Sequence, residues 1–371
     1  MRVVVSGQSG LDKRAFLSQV SQLCNKKQAD EVDKSVLLDE AALKDSHIDC
    51  VFDLENEFQK EKGAKNYLDM NESEFINGKK LLLEELSNSY PIDKNIIMAM
   101  HFTYFRKKSF YHRLDWKSLR KFSPDLIITL IDDVNKIHSK IIERRDPDDY
   151  VRSVNLHDLL VWREVEIMTS ETIAQNLYED RKIPHYIVGM NHGPQMLYQL
   201  MFETKKKKVY ASYPITSAKE GKIPQEEINE FIAKLKRYFI VFDPYTIREK
   251  KLHDLVIQQL SGPLPKSESI EVDGQIYHVD DLLRIILDIN GQIITRDERL
   301  INKVDAVIAY RPSLSQGASY ELTYAEMTGK NIITYHPQKD DSSPFAFKAG
   351  ILRKDLTSFY QEVEEFATKV T

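Results

Sequence analysis

The stretch from Arg296 to Lys330, RDERLINKVDAVIAYRPSLSQGASYELTYAEMTGK, narrows the folds open to this chain more than any other. A short amphipathic helix is expected over Arg296 to Asn302, then a buried strand over Asp305-Ala-Val-Ile-Ala-Tyr310. A polar turn, Arg311-Pro-Ser-Leu-Ser-Gln-Gly317, leads into a helix that stops at Gly329. A strand–loop–helix unit of this kind belongs to an open parallel sheet, where ligands sit beyond the carboxyl ends of the strands. The turn suits an anion: Ser313 and Ser315 offer hydroxyls, and Gly317 leaves the backbone unhindered at a helix N-terminus. Glu321 is expected in the first turn of that helix, where the dipole favours its ionised form. Two readings stay open for it, a carboxylate that does chemistry beside an anion pocket and one that only steadies its own helix.

The pattern Asp305-x-x-x-Ala309, Pro312-Ser313, Ser315-x-Gly317-x-x-Tyr320-Glu321-Leu322-x-x-Ala325, Gly329-Lys330 resembles the core of the nucleoside 2-deoxyribosyltransferase superfamily. Its spacing is most similar to the 2'-deoxynucleoside 5'-phosphate N-hydrolase branch. The resemblance implies that Glu321 is the nucleophile that attacks the anomeric carbon. It implies that Asp297, eight residues ahead of the strand-opening Asp305, is the acid/base, and that Ser315 binds phosphate with Gly317 beside it.

Length and composition set outer limits. A chain of 371 residues is long for one domain and comfortable for two. A net charge of −5 argues against a general nucleic-acid binder. Cys24 and Cys50 are the only cysteines and have neither metal-type spacing nor a disulfide framework; no metal is expected. The chain enters directly as a strand, without a signal-peptide pattern, and no apolar run reaches the ~20 residues that span a bilayer. A cytoplasmic protein with no membrane partner is expected.

In the first half, Val3-Val-Val5 reads as a buried strand, and Gly7-Gln-Ser-Gly10-Leu-Asp12-Lys13-Arg14 turns from it into a helix over Ala15 to Asn25. This turn is similar to the phosphate loop of adenylate-kinase-like P-loop proteins, in which glycines open the backbone to phosphate and a lysine reaches its oxygens. Gly7, Gly10 and Lys13 match that pattern. Asp12 departs from it where a glycine precedes the lysine, and Arg14 where a hydroxyl holds magnesium. The loop is therefore either a binding site for ATP or another nucleotide, or purely structural. His47 to Phe52, Asn95 to Met100, Ser123 to Ile131 and Ile183 to Val188 read as further strands, and Glu72 to Asn88 and Asn155 to Glu179 as helices. His101 ends one strand, as a substrate contact or a structural residue. Arg144 and Arg145 stand where small kinases carry lid arginines, or form a solvated charge run.

These features predict an α/β protein of two three-layer domains with largely parallel sheets, the first P-loop kinase-like and the second Rossmann/flavodoxin-like. The expected limits are 1–189, a linker over 190–206, and 207–371. Val209 to Ser212 should open the second sheet, and the resemblance makes Tyr210, Pro214, Ile215 and Thr216 candidate substrate contacts. Its hydrolase branch usually carries an Arg where Thr216 stands. Glu226 to Tyr238 reads as a helix, and Phe239 to Pro244 as the next strand. Arg248 to Asn290 exceeds the minimal family core, with a hairpin around Asp273-Gly274, and either covers the pocket or contacts the other domain. Asn331 to Tyr335 and Phe359 to Lys369 read as a strand and the closing helix. The resemblance also places Ser342 and Ser343 near a homodimer partner's contact.

The implied reaction is cleavage of the N-glycosidic bond of a (deoxy)nucleoside 5'-monophosphate or related nucleotide, by hydrolysis or by transfer to a second base. It needs no cofactor, and nucleotide binding to the first domain is a candidate regulator. The competing expectation is a nucleotide kinase or nucleotide sensor whose second domain only binds.

Overall fold

Runs of apolar residues with no polar alternation, such as Val3-Val4-Val5 and Leu126 to Ile131, belong to strands covered on both faces, and both lie fully inside. The computed structural model describes residues 1–29, 47–62, 70–112, 114–143, 154–219, 221–261, 268–272, 274–313, 315–337 and 350–369. Arg144, Arg145, Asp273, Ser342 and Ser343 lie outside the described residues.

The chain forms two compact units, Met1–Phe202 with Ile247–Gln292, and Glu203–Thr246 with Ile293–Thr371. The first runs β1 (Arg2–Ser6), α1 (Lys13–Ala29), β2 (Cys50–Asp53), α2 (Leu54–Lys62), α3 (Glu72–Ser89) and β3 (Ile96–Ala99). A hairpin of β4 (Tyr104–Arg106) and β5 (Ser109–Tyr111) follows, then α4 (Trp116–Phe122), β6 (Leu126–Ile131) and α5 (Val134–Glu143). Next come α6 (Leu156–Asn176), β7 (His185–Gly189) and α7 (Pro194–Phe202). The strands lie in the order β2-β3-β1-β6-β7, every neighbour parallel. Helix α6 is fixed at its start by a capping box, with Asn155 and Asp158 each accepting the other's backbone N–H.

One face of this sheet packs Phe58, Phe75, Leu83, Phe102 and Phe122 into a single core. Gly78 in α3 allows the closest approach there, because an added Cβ would lie 2.2 Å from the Phe58 ring. Gly78→Ala should therefore cost stability, by about 1–3 kcal/mol from overpacking, although alanine is the better helix former. A denaturation midpoint at or above wild type would contradict this packing.

The second unit contains β8 (Lys208–Ser212), α8 (Ile215–Lys219), α9 (Gln225–Tyr238) and β9 (Ile240–Phe242). After it the chain adds to the first unit α10 (Lys250–Ser261) and the hairpin β10 (Ser269–Val272) and β11 (Gln275–His278). The 25-residue helix α11 (Val279–Lys303) follows, and the division between units falls within it. β12 (Ala306–Tyr310), α12 (Gln316–Met327), β13 (Asn331–Tyr335), β14 (Ile351–Arg353) and α13 (Leu356–Thr368) complete the second unit. Its strands lie in the order β14-β13-β12-β8-β9, all parallel. Counted in order of appearance this is 2-1-3-4-5, the flavodoxin-type winding, with its switch point between β8 and β12.

Two expectations of organisation change. Residues 190–202 are not a linker: α7 buries Met196, Leu197, Tyr198, Leu200 and Met201 within the first unit and packs on α1. The segment Ile247–Gln292 belongs to the first unit, because Glu249 forms a buried ion pair with Arg163 of α6. The short helix expected from Arg296 is the end of α11. Among the described residues no helix is long and apolar enough to cross a membrane.

Candidate functional site

In a strand, residues two apart share a face, so Tyr210 and Ser212 of β8 point to the same side. Both are fully buried, and helix α12 packs on β8. The Glu321 carboxylate of α12 is held between them: Tyr210 Oη donates to Oε1 at 2.9 Å and Ser212 Oγ to Oε2 at 2.5 Å. The opposite face of the sheet turns Val209, Ala211 and Tyr213 into a core with Phe231, Tyr310 and Phe359. The Tyr213 hydroxyl donates to Asp243 at 2.7 Å.

Asp297, near the end of α11, is the second carboxylate. The Arg296 guanidinium donates to Asp297 Oδ1 through Nε at 3.0 Å and Nη2 at 2.9 Å, and Nη2 also lies 3.4 Å from Pro244 O. The Asp297 and Glu321 charges both act on the Tyr210 phenol. Tyr210, Asp297 and Glu321 thus meet beside the switch point between β8 and β12.

Their electrostatics differ from the sequence expectation. Glu321 lies in the second turn of α12, behind the Ser315 cap, with no acidic residue in the first turn. The helix dipole acts mainly over the first turn and gives it little. Burial, then the Asp297 charge, raises the Glu321 pKa well above the ordinary carboxylate range, against the Ser212 and Tyr210 hydrogen bonds. Burial raises Asp297 too, opposed by the charge and hydrogen bonds of Arg296. A single proton on this pair therefore rests mainly on Glu321, and the Arg296 fork favours the Asp297 carboxylate. Burial also raises the Tyr210 pKa, followed by the charges of Asp297 and Glu321, which keeps the phenol protonated.

The remaining candidates are arranged unequally. Ser315 caps α12 by accepting from Ala318 N, so its hydroxyl oxygen is already engaged. The Ser313 Oγ is enclosed without a hydrogen-bond partner. Gly317 is exposed, and a Cβ there would meet only Ser315 Oγ at 3.9 Å. Pro214 is buried at the end of β8, Ile215 packs against the sheet core, and Thr216 is exposed on α8. Ser212 and Arg296 were not singled out in the sequence. The two-residue strand period beside Tyr210, and the cation adjoining Asp297, were the signals that point to them.

The first unit has its own polar cluster at the carboxyl ends of β1, β2 and β3. Gly7 and Gly10 have φ of +148° and +91°, and a Cβ on Gly7 would lie 2.7 Å from Leu130 O. Lys13 opens α1 and is buried, its Nζ 2.8 Å from Gly7 O, 3.4 Å from Met100 O and 3.0 Å from His101 Nδ1. Burial lowers the Lys13 pKa to about 8, against the raising charges of Glu55 and Glu166. Burial, then the Lys13 charge, brings His101 down to about 3, so its ring is neutral. Glu55 Oε1 accepts from Lys79 Nζ at 3.1 Å, Tyr104 Oη at 2.6 Å and His101 N at 3.1 Å. Burial alone would raise Glu55, but neighbouring charges, Lys79 foremost, hold it at about 2. Among the described residues, no group of three or more His, Cys, Asp or Glu side chains is placed to hold a metal ion.

No family model matches the chain. No curated protein matches it either. Among solved structures it is similar to shikimate kinase from Bacteroides thetaiotaomicron, at 11% identity over 55% of this chain and 97% of that one, with a TM-score of 0.32. A likeness at that level carries no argument about function.

Proposed function

We propose that the second unit cleaves the N-glycosidic bond of a (deoxy)nucleoside 5'-monophosphate or a related nucleotide. The observation that carries this reading is the Glu321 carboxylate held by Tyr210 and Ser212, with the Arg296-bound Asp297 carboxyl near enough for its charge to act on Glu321. Loss of a base from C1' builds positive charge on the sugar, which a fixed carboxylate captures as a glycosyl ester. Glu321 attacks C1', the electron pair of the C1'–N bond leaves with the base, and the base takes the proton of Asp297. Water then attacks C1', Asp297 removes its proton, and the ester oxygen of Glu321 takes back its electron pair. An acceptor base in place of water gives transfer instead.

This cycle needs one proton on the pair, resting on Asp297, whereas the ligand-free pair favours Glu321. The two carboxyls act on one another, so a single proton rests either on Glu321 or, in a second arrangement, on Asp297. Substrate binding only has to favour the second arrangement.

Release of free base from a panel of ribo- and deoxyribonucleoside monophosphates, followed by chromatography, tests the reading. Release from at least one member is expected; none, with or without an acceptor base, ends it. The pH profile should be a bell. Activity falls on the acid side as a second proton joins the pair, and on the alkaline side as the last proton leaves. Since burial raises both carboxyls, the alkaline limb lies well above the ordinary carboxylate range. Arg296→Gln removes the cation beside Asp297 and should move that limb to higher pH. A limb that stays fixed, or moves down, would separate Arg296 from the titration.

A further inference from the structure

We infer that the glycine-containing loop of the first unit carries its own anion and holds no nucleotide, with Lys13 retained as a buried structural donor that ties the loop to the end of β3. A working phosphate loop leaves backbone N–H groups free at a helix start, has a lysine amine able to reach phosphate oxygens, and follows it with a hydroxyl for magnesium. Here a helix-start N–H is capped by an acidic side chain, the lysine amine is engaged inside, and the hydroxyl is missing.

At the start of α1 the Asp12 carboxylate accepts from Ala15 N at 3.1 Å, and Asp12 O accepts from Phe16 N at 3.1 Å. That is an ordinary N-cap, and it puts a negative charge where the helix end would attract a phosphate. An incoming phosphate meets like charge, and one of the helix-start N–H groups, that of Ala15, is already taken. Arg14 is exposed and cannot ligate a cation.

The lysine faces inward. An ammonium has three donors, and Gly7 O, Met100 O and His101 Nε2 accept them, while His101 Nδ1 donates to Gly7 O at 2.6 Å. Behind the loop Glu166 accepts from Gly7 N at 3.3 Å, Phe102 N at 2.9 Å and Thr103 N at 2.8 Å, and from the Thr103 hydroxyl. With four donors converging on its two oxygens, Glu166 serves as an acceptor that ties β1 to the chain beyond β3. Swinging Lys13 out to a phosphate would take its donor from Met100 O and His101 Nε2 and leave Gly7 O with the His101 Nδ1–H alone.

The test uses the full chain. Equilibrium dialysis with labelled ATP and magnesium, and the melting temperature in 1 mM Mg-ATP or inorganic phosphate, should show no saturable binding and a shift below about 1 °C. A site with a Kd of about 10 μM would shift the melt by several degrees at that concentration. Lys13→Met should melt several degrees lower than wild type, equally with and without ATP. Saturable ATP binding by wild type would overturn the sealed loop, whatever the variant does. A Lys13→Met protein as stable as wild type would overturn the structural role of the buried lysine. Neither measurement depends on glycosidic cleavage by the second unit.

Discussion

Glu321→Ala is expected to reduce base release from the best nucleotide substrate by at least about 1,000-fold, equivalent to about 4 kcal/mol of transition-state stabilisation. The loss should fall on kcat, because the carboxylate forms a bond only after the substrate is seated. A small external nucleophile separates this role from a structural one. Truncation leaves room beside Tyr210 and Ser212, so added azide or formate should restore turnover, and azide should leave a glycosyl azide among the products. Asp297→Asn keeps the nucleophile but loses the proton donor, so its defect should grow with the basicity of the leaving base. Wild-type turnover in Glu321→Ala would remove the nucleophile from the mechanism. Rescue by azide in Asp297→Asn but not in Glu321→Ala would exchange the two roles.

Much of the fold was legible because its signals are local. Leu126 to Ile131, interrupted only by Thr129, and Ala306 to Tyr310 are apolar on both faces and short between turn signals, as in strands buried on both sides. The sequence motif also contains Glu321 and Asp297, and the resemblance added Tyr210, which lies 111 residues from Glu321 in sequence and donates to it in the fold. The proton balance was not legible. It depends on Glu321 lying one turn deeper in α12 than expected and on the enclosure of both carboxylates, and neither is a property of neighbouring residues. Ser212 escaped notice because a serine on a strand is unremarkable until a carboxylate lies 2.5 Å from it. The domain limits failed for a related reason. A sequence is read as consecutive blocks, while the segment Ile247–Gln292 returns to the first unit through partners more than eighty residues away.

That return predicts the largest stability effect. The Arg163 guanidinium donates through Nη1 at 2.5 Å and Nη2 at 2.9 Å to the two oxygens of Glu249, and both residues are at least nine-tenths buried. Glu249 Oε1 also accepts from Val134 N at 2.9 Å, and Asp133 Oδ1 accepts from Arg248 N at 2.6 Å. Gln292 Oε1 completes the setting by accepting from Arg163 Nε at 3.0 Å and Nη2 at 2.6 Å. Glu249→Ala leaves an uncompensated guanidinium inside and an orphaned N–H on Val134. Breaking a buried pair from one side costs about 3–5 kcal/mol, more than the net worth of the pair, because the remaining charge has been desolvated without an answering one. Glu249→Gln keeps the shape and an acceptor and should cost less. Replacing both partners, as in Arg163→Met with Glu249→Leu, should be milder than Glu249→Ala, since no charge is stranded. Denaturant unfolding of the four proteins, with hydrogen exchange over α10 and the β10–β11 hairpin, reads both the size and the place of the loss. A Glu249→Ala cost below about 1 kcal/mol, in the range of exposed pairs, would mean that the segment is held to the first unit by its apolar contacts and not by this ion pair.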